Sequence, residues 1–177
     1  MPAPNLKVTS RARQIRLLLL DVDGVLTDGC LYYGNCGEEM KSFNIQDGLG
    51  IKLLQRKGIR VGIITGRTSA LVTRRAEELG IDLIVQGRED KLQALEEMLA
   101  ASPYLMNEIA FLGDDLPDLA VIRRVGLGAA VANARPIIAE HALWQTTACG
   151  GAGAVRELAE MLLQAQDKLD STFTDYL

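Results

Sequence analysis

The chain is poor in the residues on which several common sites and scaffolds depend. Its 177 residues include only three cysteines, one histidine and three phenylalanines. Cys30, Cys36 and Cys149 form neither a disulfide framework nor a zinc-binding spacing, so we expect reduced thiols in a cytoplasmic protein. A single histidine, His141, argues against a histidine-based catalytic triad and against a histidine-rich metal site.

Long apolar runs are also missing. The longest, Leu17–Leu20, is far shorter than the roughly 20 residues that a membrane-spanning helix needs, and the N-terminal segment has no apolar core of a secretory signal. The net charge of −4 argues against a broad nucleic-acid-binding surface, although it leaves room for a small basic pocket that binds an anion. We therefore expect no nucleic acid and no membrane among the partners.

What the sequence does contain is typical of one globular domain covering residues 1–177, with 48% hydrophobic and 24% charged residues. Strand-like and helix-like segments alternate along it. This alternation predicts an α/β fold with a doubly wound, mostly parallel sheet and helices on both faces. We expect strands at 16–21, 60–65, 82–85, 109–113 and 126–130, and helices at 47–57, 69–79, 91–101, 116–124 and 153–168.

Residues 28–46 interrupt the alternation. Turn-forming residues at Gly34-Asn35 and Gly37 separate two short segments, which predicts a β-hairpin beside the end of the first strand. Because long insertions are often functional, we expect this hairpin to act as a flap, with a decorative edge hairpin as the alternative. Residues 1–13 and 171–177 show no core pattern, and we expect both to be flexible.

Chemically reactive residues follow the ends of the predicted strands. Each has an ordinary structural explanation when taken alone: Thr65 favours a strand, Asp115 could cap a helix, and Asp118 would suit the helix dipole. The carboxyl ends of parallel strands, however, lie at one edge of a sheet, where ligands bind. The separate explanations do not predict that this edge gathers Asp21, Asp23, Thr65, Arg67, Lys91, Asp114 and Asp115.

This set of residues suits phosphoryl transfer. Asp21 and Asp114 offer the oxygen ligands that Mg²⁺ prefers. Lys91 would offset further negative charge, and the hydroxyl of Thr65 would hold a phosphoryl oxygen.

Four segments, DVDGVLTDG, ITGR, the stretch around Lys91 and GDDLPD, resemble in order and spacing the motifs of the haloacid dehalogenase superfamily of phosphotransferases. The resemblance covers about residues 16–130 and implies a Rossmann-like fold. It implies that Asp21 is the nucleophile that becomes an aspartyl phosphate, and that Asp23 protonates the leaving oxygen and then activates water. It also implies that Thr65 and Lys91 bind the phosphoryl group, that Asp21, the Asp23 carbonyl and Asp114 hold Mg²⁺, and that Asp115 positions metal-bound water.

The spacing of these motifs leaves no room for a large cap domain. Only 25 residues separate Thr65 from Lys91 and only 22 separate Lys91 from Asp114, and a helix and a strand occupy each interval. The hairpin at 28–46 is then the only cover within the chain. Because an open site would admit water freely, we expect a neighbouring subunit to close it in a homo-oligomer.

A closer resemblance extends from Ile15 to Leu169. The segments DVDGVLTDG, YYGNCGEEMKSFNIQDGLGI, ITGRTS and CGGAGAVREL are similar to the 3-deoxy-D-manno-octulosonate 8-phosphate phosphatase family, whose members are cap-less, tetrameric, Mg²⁺-dependent enzymes of lipopolysaccharide biosynthesis. Lys52 stands where relatives can have arginine, which keeps the charge but loses the bidentate fork. The resemblance implies a homotetramer and a small sugar-acid phosphate bound by Asp23, Asn44, Ile45, Gln46, Asp47, Gly48, Lys52, Arg67, Arg75 and Lys91.

Three other interpretations stay open. Sister enzymes with the same catalytic set hydrolyse nine-carbon sugar-acid 9-phosphates of the N-acylneuraminate or deaminoneuraminate type. A receiver-type signalling domain also combines an aspartyl phosphate with Mg²⁺, threonine and lysine, but its adjacent acidic pair lies on the first strand, whereas here that pair comes last. A catalytically inactive regulatory domain would keep the fold, although every catalytic position is filled here.

Overall fold

A six-stranded parallel sheet forms the centre of the computed structural model, which describes residues 5–100 and 102–176. Its strands are β1 (Leu17–Leu20), β4 (Arg60–Ile64), β5 (Leu83–Val85), β6 (Ile109–Gly113), β7 (Leu127–Ala130) and β8 (Trp144–Gln145), whereas β2 (Tyr32–Gly34) and β3 (Gly37–Met40) form a separate antiparallel hairpin. The order across the sheet is β5-β4-β1-β6-β7-β8. Because the chain builds outward from β1 in both directions, a crevice forms at the carboxyl end of β1.

Helices cover both faces of this sheet. On one face lie α1 (Leu6–Ala12), α2 (Ile45–Arg56), α3 (Ala70–Leu79) and α7 (Ala154–Ala165); on the other lie α4 (Lys91–Ala100), α5 (Leu116–Ile122) and α6 (Pro136–His141). A last helix, α8 (Leu169–Thr174), follows α7. The predicted fold class, including the hairpin inserted after the first strand, is confirmed. Among the described residues, no helix has the length and apolarity that a membrane crossing requires.

The four consecutive leucines of β1 follow from its position at the centre of the sheet. Leu18 and Leu20 pack into the core under α2 and α7, whereas Leu17 and Leu19 pack into the core under α4 and α5. Side chains alternate along a strand, and both faces are covered here, so a polar residue has no place in β1. The first polar residue, Asp21, comes directly after the strand and so lies at its carboxyl end.

The structure corrects the prediction of a flexible arm over residues 1–13. Residues 6–12 form α1, whose N-cap Asn5 accepts the Val8 N–H through Oδ1 at 2.9 Å, and whose Val8 and Ala12 are buried in the core shared with α7. Two apolar residues four positions apart are enough to bury one helix turn, but too few to indicate a helix in the sequence. Residues 1–4 lie outside the described part of the chain.

The other differences also concern short elements. Leu169–Thr174 is helical, and it includes part of the segment that was predicted to be flexible; Leu177 lies outside the described residues. The two-residue strand β8 and the six-residue helix α6 were not predicted. None of these elements contributes a residue to the crevice at the end of β1.

A glycine-rich loop before α7 packs against the loop that follows β1. A Cβ atom on Gly150 would lie 1.7 Å from the carbonyl oxygen of Gly24, so only glycine fits at position 150. The segment that leads into this glycine is fixed by the buried Glu157, whose carboxylate accepts the N–H groups of Thr147 and Ala148, each at 2.9 Å. Part of the C-terminal half of the chain therefore supports the loop that carries the first two aspartates.

We expect Gly150→Ala to lower the free energy of unfolding by about 1–3 kcal/mol, since overpacking of this kind forces the backbone to move. Gly66→Ala is a matched control, because its Cβ would meet nothing nearer than the Glu89 Cγ atom at 3.4 Å. Urea unfolding of both variants measures the difference. Equal stabilities for the two variants would contradict the tight contact at Gly150.

Candidate active site

The residues that were expected to converge do meet at the carboxyl edge of the sheet. A cavity of about 330 Å³ opens there, beside the ends of β1, β4 and β6. Its lining includes the predicted residues Asp21, Asp23, Thr65, Arg67, Lys91, Asp114 and Asp115, together with Asp118.

Lys91 lies at the centre of this group and bridges two carboxylates. Its Nζ atom is 2.6 Å from Asp21 Oδ1 and 2.6 Å from Asp118 Oδ1, and all three side chains are buried. Burial by itself lowers the pKa of Lys91, but the charges and hydrogen bonds of the two aspartates outweigh it, and the net pKa is raised. Lys91 is therefore a permanent cation at the start of α4.

Asp118 belongs to the site, although from the sequence it was expected only to suit the helix dipole. Its Oδ1 accepts a hydrogen bond from Lys91, while its Oδ2 accepts the backbone N–H of Asp114 at 2.9 Å and of Asp115 at 3.3 Å. Asp118 therefore fixes the loop after β6 as well as the lysine. The available signal was its spacing: Asp118 follows Asp114 by four residues, about one helical turn, which brings it back to the same edge.

Asp115 lies at the start of α5. It is the N-cap residue of this helix, and its Oδ1 accepts the N–H of Leu116 at 2.8 Å. Asp115 also lines the cavity. The predicted role in positioning metal-bound water stays a prediction.

Three carboxylates are close enough to hold one metal ion: oxygens of Asp21, Asp114 and Asp118 lie within 4.8 Å of one another. Burial, followed by the charge of Asp118, raises the pKa of Asp21 to about 6. Burial, followed by the charge of Asp21, raises the pKa of Asp114 to about 7. Burial is the main cause of both shifts, and the neighbouring carboxylates add to it because Lys91 alone does not balance three acids. A divalent cation would supply the missing positive charge.

The residues present fit Mg²⁺. All the candidate ligand atoms are carboxylate oxygens, which suit a hard divalent cation. Asp118 already accepts hydrogen bonds with both oxygens, so Asp21 and Asp114 are the better ligands. A Cβ atom on Gly24 would lie 2.2 Å from Asp114 Oδ2, so glycine at this position leaves the space that the Asp114 carboxylate occupies.

Asp23 lies in different surroundings from Asp21, although only one residue separates them. Lys41 donates a hydrogen bond from Nζ to Asp23 Oδ1, and Arg67 Nε lies 3.7 Å from Asp23 Oδ2. Arg67 also donates from Nη2 to the hydroxyl of Tyr33 in the hairpin, at 2.9 Å. Asp21 thus faces a lysine and other carboxylates, whereas Asp23 faces two cations.

Some residues that the resemblance assigns to substrate binding are engaged elsewhere in this chain. Asn44 caps α2, and its Oδ1 accepts the N–H of Gln46 at 2.7 Å. Asp47 is 1% exposed and accepts the N–H groups of Gly153 at 3.2 Å and Arg156 at 2.8 Å, which ties α2 to the start of α7. Burial raises the pKa of Asp47 despite these bonds. Neither side chain lines the cavity.

Three residues of that set, Asp23, Arg67 and Lys91, do line the cavity. The other five, Ile45, Gln46, Gly48, Lys52 and Arg75, do not. The guanidinium of Arg75 lies 5.9 Å from the centre of the Phe43 ring and pairs with Glu78 at 3.3 Å. A Cβ atom on Gly48 would lie 2.4 Å from Arg75 Nη2, so the absence of a side chain at position 48 leaves space for the Arg75 guanidinium. Substrate contacts stay predictions for all ten residues that the resemblance assigns to substrate binding.

Known proteins resemble this chain over nearly its whole length. Residues 81–157 match the family of haloacid dehalogenase-like hydrolases. The 3-deoxy-D-manno-octulosonate 8-phosphate phosphatase KdsC of Yersinia pestis is 49% identical over 163 residues, which cover 92% of this chain and 87% of that protein.

Solved structures agree with the sequence comparison. A probable YrbI family phosphatase from Pseudomonas syringae is 51% identical with a TM-score of 0.94, and the match covers 96% of this chain and 97% of that one. A 3-deoxy-D-manno-octulosonate 8-phosphate phosphatase from Moraxella catarrhalis, in complex with magnesium ion, phosphate ion and KDO, is 43% identical with a TM-score of 0.94, over 97% of this chain and 98% of that one. The chain therefore belongs to the 3-deoxy-D-manno-octulosonate 8-phosphate phosphatase family of haloacid dehalogenase-like hydrolases.

Proposed function

We propose that this protein is a Mg²⁺-dependent phosphatase that hydrolyses 3-deoxy-D-manno-octulosonate 8-phosphate to 3-deoxy-D-manno-octulosonate and phosphate in lipopolysaccharide biosynthesis. The observation that carries this proposal is the bridge from Lys91 to Asp21 and Asp118 beside Asp114, in a chain 49% identical to the Yersinia phosphatase. The two exposed cysteines of the hairpin region, Cys30 and Cys36, and exposed Cys149 are unpaired, which suits the reducing cytoplasm.

Asp21 is the nucleophile in this mechanism. Lys91 holds its Oδ1, so Oδ2 forms the bond to phosphorus while the bond from phosphorus to the sugar oxygen breaks. A lysine ammonium has three N–H donors, and Lys91 uses two of them on Asp21 and Asp118. The third can stabilise a phosphoryl oxygen, together with the hydroxyl of Thr65.

Asp23 carries the proton. It gives a proton to the departing sugar oxygen, and then takes one from the water that attacks phosphorus in the aspartyl phosphate, which releases phosphate and frees Asp21. This role requires a carboxylate that is close to the nucleophile but outside the group of acids around Lys91. The position of Asp23 between Lys41 and Arg67 meets that requirement.

Asp21, Asp114 and the backbone carbonyl of Asp23 would hold Mg²⁺, and Asp115 would orient a water on it. When bound, the ion would neutralise the carboxylates and the phosphoryl group so that one anion can approach the other. Asp118 keeps Asp114 in place through the backbone N–H bond at 2.9 Å.

We also propose that the enzyme is a homotetramer, in which a neighbouring subunit and the hairpin flap cover the site. The hairpin exposes Tyr32, Tyr33 and Met40, an apolar surface of the kind that subunits cover. Ile45, which is 82% exposed, and Lys52 lie away from their own cavity, where they could face a neighbouring subunit.

The first prediction from this proposal concerns the substrate. We expect phosphate release from 3-deoxy-D-manno-octulosonate 8-phosphate to exceed that from nine-carbon sugar-acid 9-phosphates, when kcat/KM is measured for each. An Asp21→Asn variant purified in the same way controls for contaminating phosphatases, and it should be inactive on both substrates. A preference for the nine-carbon compounds would show that the enzyme is the sister phosphatase instead.

The second prediction concerns the metal. We expect Mg²⁺ to raise the melting temperature of the wild type, because the cation relieves the repulsion among Asp21, Asp114 and Asp118. Asp114→Asn should abolish this rise, while the metal-free variant should be no less stable than the wild type, since one of the facing charges is gone. Asp82→Asn, in an exposed ion pair with Arg60, is the control and should keep the response to Mg²⁺. An unchanged Mg²⁺ response in Asp114→Asn would contradict this assignment.

The third prediction concerns assembly. Light scattering coupled to size-exclusion chromatography should give about four times the chain mass of 19.2 kDa. A Tyr32→Glu and Met40→Glu double variant should shift the mass toward smaller species, because it places charges on the surface that we expect to be covered. A monomeric wild type with full activity would exclude closure by a neighbour.

A further inference from the structure

We propose that Lys41 is a positioning residue for Asp23, and that the β2–β3 hairpin carries this lysine into place. The inference rests on the proposed function, because it concerns the carboxylate that transfers the proton. Lys41 directly follows β3, so the hairpin has a chemical link to the reacting group and is more than a cover.

The burial of Lys41 shows that its contact with Asp23 is part of the structure. Its side chain is 0% exposed, and its Nζ atom donates to Oδ1 of Asp23, whose side chain is 22% exposed. A buried ammonium costs several kcal/mol in solvation unless it is paired with an anion, as it is here. A long, flexible lysine held in this way loses its freedom to move, and it fixes the carboxylate with it.

The second oxygen of Asp23 is also restrained. Arg67 Nε lies 3.7 Å from Asp23 Oδ2, and Arg67 Nη2 donates to the Tyr33 hydroxyl at 2.9 Å. The hairpin region is therefore linked to Asp23 in two ways: directly by the Lys41 contact, and indirectly by Tyr33, which binds Arg67. With a cation on each oxygen, the carboxylate of Asp23 has a defined orientation toward the cavity.

Lys41 acts through Asp23 and not on the substrate. Asp23 and Arg67 line the cavity at the end of β1, whereas Lys41 is not among its lining residues. Lys41 borders instead a separate groove of about 180 Å³ with Phe43 and Arg75. Removing Lys41 should therefore change proton transfer, while the nucleophile and its lysine, Lys91, keep their contacts.

The leaving group provides a test that separates positioning from general damage. A sugar hydroxyl is a poor leaving group and needs the proton from Asp23, whereas p-nitrophenolate departs without one. The parameter kcat/KM covers the steps up to release of the alcohol or phenol, so water attack on the aspartyl phosphate does not affect the comparison. A displaced Asp23 should slow the sugar-acid phosphate selectively.

The experiment compares Lys41→Met, Asp23→Asn and the double variant on 3-deoxy-D-manno-octulosonate 8-phosphate and on p-nitrophenyl phosphate. We expect Lys41→Met to lower kcat/KM on the order of 10- to 100-fold for the sugar-acid phosphate, and by less than about threefold for p-nitrophenyl phosphate. In the Asp23→Asn background, Lys41→Met should cause no further loss, because both act through one group.

Two further variants guard the conclusion. Lys57→Met removes a lysine that pairs with Asp175 at 3.0 Å. Neither residue lines the cavity, so this variant should leave both activities unchanged. Lys41→Arg keeps a cation for Asp23 and should recover part of the sugar-acid activity, and it also serves if Lys41→Met fails to fold.

Equal losses on the two substrates, or additive losses in the double variant, would overturn the role of Lys41 while leaving the proposed function intact. A wild type that cleaves p-nitrophenyl phosphate but not the sugar-acid phosphate would overturn the proposed function, and this inference with it.

Discussion

The buried cation of Lys91 is the interaction on which the rest of the site depends. It joins the first residue of α4 to the end of β1 through Asp21 and to the first turn of α5 through Asp118. Those elements come from distant parts of the sequence and meet because the strands that precede them, β5, β1 and β6, belong to one parallel sheet. Removing one member of such a buried group leaves an unpaired charge, at a cost of about 3–5 kcal/mol, so site and fold are stabilised together.

The same edge must also accommodate more negative charge than Lys91 balances, and this constraint explains features far from Asp21. Asp114 needs space, which Gly24 leaves because it has no Cβ atom. Gly24 in turn needs a partner without a side chain, which Gly150 supplies, and Glu157 holds the segment before it. The C-terminal glycines are therefore part of the support for the aspartates near the N-terminus.

The positions of residues at strand ends were predictable from the sequence, whereas the hydrogen-bond and ion-pair partners of individual side chains were not. The alternation of elements and the aspartate after β1 indicated both the sheet and its reactive edge. Asp118 was missed because an acid in the first helical turn already has an ordinary explanation in the helix dipole. Asp47 could not be placed, because its burial depends on α7, more than 100 residues away in the sequence. Short elements such as β8 contain too few residues for any period to show.

The hairpin differs from a simple lid because it contributes to the surroundings of a site residue. A lid covers a site that is complete without it, but here the surroundings of Asp23 are incomplete without Lys41 and Tyr33. Asp21 and Asp23 are only two positions apart, yet their side chains have different partners. The sheet supplies Lys91 for one, and the insertion supplies Lys41 for the other. In a chain with no room for a cap domain, a short hairpin therefore gives one of two neighbouring carboxylates its own surroundings, as their proposed roles of nucleophile and proton carrier require.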